Sequence, residues 1–156
     1  MKTATRRLVV ALAICTLVPI ATTSAKDKVT RPFKMSAHSQ MVVDLTGCDP
    51  MYAPFGCAYV AHAEGVATHM GQVTAYETGI VAPMTWGVMT AANGDELFYD
   101  FNSMSSVVTI TGGTGRFEGA TGEILLETEL VSSVFDPIEM TITNTLVWTG
   151  SGTLTY

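Results

Sequence analysis

Positive charge is scarce in this sequence: eight Lys and Arg stand against fourteen Asp and Glu over 156 residues, a net charge of −6. Lys2, Arg6 and Arg7 fall in the first 25 residues, which hold no acid, so residues 26–156 carry five cations against fourteen acids, a balance of −9. Lys26, Lys28, Arg31 and Lys34 come first, and Arg116 is the only Lys or Arg between Met35 and Tyr156. Such a chain lacks the cationic footprint that a phosphate backbone requires, which argues against a nucleic-acid partner.

Long apolar runs are equally few. Leu8 to Ile20 is an apolar stretch of 13 residues behind a basic start, shorter than the ~20 that span a bilayer. With Thr23-Ser24-Ala25 following, it reads as a secretory signal cleaved after Ala25. A lipoprotein site at Cys15 is disfavoured by bulky Ile14, and the residues around Arg6-Arg7 fit a twin-arginine signal weakly. The expected organisation is a signal at 1–25, a loose tail at 26–32 and one domain at 33–156, secreted or periplasmic and not membrane-spanning after cleavage.

Cysteine is sparse too. Beyond Cys15 only Cys48 and Cys57 remain, bracketing eight residues with two prolines and a glycine. In an oxidising compartment an even pair around a short loop predicts a disulfide; metal-ligand spacing and a tight C-x-x-C are both absent.

Helical signals are missing after residue 25. Threonine outnumbers leucine there by eighteen to seven, a balance that favours strands, and alternation at period two recurs between Gly, Asn, Pro and Ser clusters. The expected strands are 33–45, 58–70, 72–82, 84–92, 95–102, 105–111, 122–132 and 138–149. Asn93-Gly94 predicts a type I′ hairpin turn. In the last strand Ile138, Met140, Ile142, Asn144, Leu146 and Trp148 share one face, with threonines dominating the other. Long regular strands of this kind favour a closed antiparallel eight-stranded barrel over a sandwich.

Residues 110–126, Ile-Thr-Gly-Gly-Thr-Gly-Arg-Phe-Glu-Gly-Ala-Thr-Gly-Glu-Ile-Leu-Leu, resemble the glycine-rich motif shared by the allene oxide cyclase barrel and dirigent proteins. Together with Ala91–Leu97 and Gly65–Gly71, they look like small secreted bacterial proteins carrying such a barrel. The resemblance implies a calycin-like, eight-stranded barrel with a cavity for an apolar molecule. Dirigent proteins place an arginine in an Ala-Arg-Gly triplet of this motif; here the triplet is Ala120-Thr121-Gly122. On physical grounds Gly112, Gly113, Gly115, Gly119 and Gly122 predict a turn and a sharply bent strand. They lack the Gly-Lys-Ser/Thr ending of a phosphate loop.

Candidate chemistry is thin. His62, Glu64 and His69 are the only metal-type grouping; the reading preferred here is a polar outer face with His69 at a strand end, and no metal or cofactor is assigned. No nucleophile elbow is present. Asn144 interrupts an apolar row and, if buried, needs a partner or a ligand. Met140, Ile142, Leu146 and Trp148, with Trp86, Met84 and Tyr99 from earlier strands, are expected to line the lumen around it. Arg116 is expected to pair with Glu118 or Glu123. Glu64 and Asp44 could act as bases only if buried.

The functional expectation is an exported barrel holding a neutral apolar small molecule. The alternatives are a packed barrel acting through its surface, and a metal-free cyclase or isomerase of an unsaturated apolar substrate. Homo-oligomer formation accords with the resemblance.

Overall fold

The computed structural model describes residues 27–49, 51, 56–80 and 84–156. The proposed signal at 1–25, Lys26, and Tyr52 and Phe55 of the disulfide loop lie outside them. Eight strands close into one antiparallel barrel in sequence order: β1 (Thr30–Asp44), β2 (Ala58–Ala67), β3 (Gly71–Ile80), β4 (Met84–Ala91), β5 (Glu96–Asn102), β6 (Val107–Gly113), β7 (Thr121–Asp136) and β8 (Thr141–Thr155). The expected all-β, eight-stranded antiparallel barrel is what the chain forms. No described helix is long and apolar enough to cross a membrane.

Closure lies between β1 and β8, paired from Thr30↔Thr155 to Asp44↔Thr141. The first strand therefore begins at Thr30, earlier than expected, and takes in residues assigned above to a loose tail. Inward residues alternate with exposed ones along β1 to β3, the pattern of a sheet dry on one face and wet on the other. An eight-stranded barrel is just wide enough for side chains to fill it, and this interior is shared unequally. Ala37, Ser39, Ala61, Ala63 and Ala75 line the β1–β3 wall, while Met35, Met89, Tyr99, Leu126 and Trp148 project from β1 and from β4, β5, β7 and β8.

The two ends differ. At one, the glycine-rich segment forms a 3-10 turn, Gly115–Phe117, that drives fully buried Phe117 beneath the barrel, edge-on to Tyr156 at 5.1 Å. Gly115 and Gly119 have φ of 57° and 66°, the left-handed conformation that glycine tolerates best. A Cβ at Gly122 would overlap the Thr153 carbonyl, so the bent start of β7 requires glycine. Arg116 ion-pairs with Asp95 at 3.2 Å and lies over the Phe117 ring. The expected partners Glu118 and Glu123 are replaced because the hairpin brings Asp95 under the turn.

That hairpin also departs from expectation. Gly94 has φ of 86° while Asn93 is not among the positive-φ residues, and Ala91 N–H donates to the Asp95 carbonyl. The three-residue loop Ala92–Gly94, with glycine in the left-handed position, replaces the type I′ turn.

At the other end β7 runs on past β6, while β8 stays paired with β1 to Thr141. β6 pairs with β7 only from Ile110↔Gly122 to Val107↔Leu125, whereas β7 pairs with β8 to Asp136↔Thr141. The β7–β8 hairpin thus overhangs this mouth. The Cys48–Cys57 disulfide forms beside it, as expected. Its sequence separation of 9 corresponds to about 2.5 kcal/mol of loop-closure entropy. Replacing both cysteines by serine is expected to lower the melting temperature by roughly 10 °C, measured against the oxidised wild type.

Candidate functional site: a buried glutamate cluster near the mouth

The lumen holds one charged side chain among the described residues. Glu77, on β3, is only 3% exposed, and the other buried polar side chains are Ser39 and Thr85. Three hydroxyls converge on its carboxylate. Tyr59 (β2) and Thr85 (β4) donate to Oε1, the latter at 3.1 Å, and Tyr99 (β5) donates to Oε2 at 3.1 Å.

Register explains the convergence. Glu77 pairs with Gly87 on β4, and Gly87 pairs with Tyr99 on β5. A Cβ at Gly87 would overlap the Tyr99 ring at Cζ and Oη. Because Gly87 has none, the tyrosine lies across β4 and reaches a carboxylate two strands away. Tyr59 and Thr85 both pair with Gly79, two residues after Glu77, and so stand on the mouth side of the carboxylate.

The electrostatics follow from burial. No buried cation faces Glu77 among the described residues, so desolvation of its charged form dominates. It raises the carboxyl above its ordinary value of 4.5 even though the Tyr59, Tyr99 and Thr85 hydrogen bonds favour ionisation. Burial and the neighbouring carboxylate push both tyrosines above their ordinary value of 10.0. The cluster therefore has a high proton affinity and can donate or accept hydrogen bonds, since every partner is a hydroxyl.

Beside it lies a void of about 10 Å³, lined by Glu77 and Tyr99 with Met35, Ala75, Met89, Val108, Leu126 and Trp148. That is room for roughly one water. Ser39 Oγ, fully buried, has no hydrogen-bond partner.

The expected site residues divide. Tyr99, Leu146 and Trp148 are buried in the lumen. Ile142 and Asn144 are half-buried near the mouth, and Asn144 shares a register level with Glu77 through Met41 and Ala61. Trp86 and Met84, expected inside, are 55% and 50% exposed on the outer face. The small residues of β4 (Thr85, Gly87) occupy the interior instead, since Tyr99 needs that space. Met140, also expected in the lumen, is exposed with φ of 52° in the turn before β8, because the strand starts at Thr141 rather than 138. His62 and Glu64 are exposed on β2. His69 lies in the β2–β3 turn against the Pro32 carbonyl at 3.0 Å, so the three do not converge.

Sequence reasoning missed Glu77, Thr85 and the lumenal role of Tyr59. The available signal was parity: Val73, Ala75 and Glu77 alternate with polar positions, which places the acid on the apolar face.

No protein-family model matches the chain, and no curated protein matches it. Among solved structures it resembles that of a pterocarpan synthase dirigent protein, at 16% identity and a TM-score of 0.46, over 83% of this chain and 93% of that one. At that level the likeness says nothing about activity.

Proposed function

We propose that this is an exported barrel that binds a small, neutral, largely apolar molecule at the mouth end of its lumen, with the Glu77 cluster as the polar anchor. The observation carrying this reading is a buried carboxyl with three convergent hydroxyls and no counter-cation in an otherwise apolar interior. A few convergent polar groups on an apolar lining is the composition of small-molecule sites. An anionic ligand would face Glu77 uncompensated, so a neutral one fits best. Because the void itself holds about one water, the ligand must enter from the mouth past Ile142 and Asn144 and shift Met35 or Met89. Methionine side chains, unbranched and adaptable, permit such a shift.

The test is titration with Nile red, a neutral apolar dye with a carbonyl acceptor. Saturable, blue-shifted emission at one dye per chain is expected. Ala75→Leu, which fills the void beside Glu77, should weaken binding at least tenfold, and Trp86→Ala on the outer face should leave it unchanged. A second reading, a solid barrel acting through its surface, is favoured by the small void. It predicts no saturable dye binding, or binding insensitive to Ala75→Leu.

A further inference from the structure

The overhanging hairpin presents a strand edge that the barrel does not use. Leu126 donates its backbone N–H to the Ser106 carbonyl, so its polar backbone groups face β6. Strand alternation aims those of Thr128 and Leu130 to the same side. Among the described residues no strand pairs with β7 there, since β6 contacts end at Leu125. Leu130 and Phe135, each more than half exposed, pair with Leu146 and Ile142 on the lumenal face of this segment, and exposed Val134 lies on the outer face, so apolar surface borders the open edge on both sides.

Charge decides what fits it. Glu127 and Glu129 lie on the free segment, and every cation from Lys28 to Lys34, together with Arg116, sits at the opposite, Phe117-plugged end. A second copy would bring an equally acidic edge alongside. The bulge at Val131, where pairing skips from Leu130↔Leu146 to Ser132↔Thr145, further interrupts regular self-pairing. We propose that the free edge of β7 takes an extended peptide segment carrying alternating basic and apolar residues, added as a further strand. Backbone hydrogen bonds would supply affinity, and the carboxylates and apolar side chains the selection. The backbone groups of this edge point along the sheet and not into the lumen, so peptide pairing is read separately from ligand binding at the mouth, which Leu130 and Phe135 border.

The test uses two synthetic ten-residue peptides, one alternating lysine with valine and one alternating glutamate with valine, followed by fluorescence anisotropy with the full barrel. The lysine peptide is expected to bind and to weaken as salt rises, and the glutamate peptide to fail. Thr128→Pro removes an edge-facing N–H without touching the β8 ladder and should weaken binding at least about tenfold. Glu127→Lys with Glu129→Lys, which leaves the backbone intact, should reverse the preference between peptides. Absence of lysine-peptide binding, or binding unaffected by both variants, overturns the proposal. So does a concentration-dependent dimer in sedimentation that Thr128→Pro abolishes, since a second copy would then be the occupant.

Discussion

Gly87→Ala is expected to destabilise the barrel by about 3–5 kcal/mol. The added methyl group would overlap Tyr99 at Cζ and Oη and approach the Tyr76 carbonyl. The ring cannot move inward, because Trp148, Met89 and Val108 line the same small void. Overpacking of this kind costs about 1–3 kcal/mol, and displacing Tyr99 removes its hydrogen bond to Glu77, worth about 1.5–3 kcal/mol where one partner is charged. Urea unfolding would measure the loss. In a second variant, Gly87→Ala with Tyr99→Leu, the shorter side chain removes the clash and should recover part of the stability. No recovery would show that the glycine is required for its backbone and not for the tyrosine.

Glu77→Gln is expected to change the pH dependence of stability more than any other single substitution among the acids. The folded-state proton affinity of Glu77 is raised by burial, so the folded chain binds this proton more tightly than the unfolded chain does. Its contribution to stability is complete below the ordinary value of 4.5 and is lost as pH rises through the folded value. Glutamine mimics the neutral form and removes that loss. The difference in melting temperature, variant minus wild type, should grow more positive from pH 4 to pH 8. The difference also cancels acids of the opposite sense, such as Asp44, whose hydrogen bonds to Thr46 hold its carboxyl below the ordinary 3.8. A flat difference across that range would mean that the fold does not raise the proton affinity of Glu77 above its unfolded value.

The barrel was legible in the sequence because its evidence is local and repeated. Alternation in β8 correctly put Leu146 and Trp148 inside, and the cysteine spacing predicted the disulfide. The site was not legible, for a reason visible at β3 and β4. There the bulky residues Tyr76, Met84 and Trp86 face outward, while Ala75, Glu77, Thr85 and Gly87 face inward. Hydropathy assigns large apolar side chains to the interior, but a narrow lumen is filled from both walls. Tyr99 and Trp148 consume the space that β3 and β4 leave open. That exchange of volume depends on which residues stand opposite one another, and register is set by pairings that no single strand contains. Asn144, the one polar residue singled out in an apolar row, lies at the register level of Glu77, the acid overlooked on the far wall.

The closure between β1 and β8 also fixes when this protein can fold. Thr30 and Thr155 are 125 residues apart in the chain and hydrogen-bonded through their hydroxyls, and the longest unbroken ladder joins the first strand to the last. During synthesis β1 emerges with only β2 to pair with, and the meander grows with one open edge until residues 141–155 are available. Contacts of such long sequence separation place the rate-limiting loop closure late and folding in the slow, milliseconds-to-seconds class. The outer edge of β1 therefore stays unpaired until residues 141–155 have been made, and the whole barrel waits on its final strand.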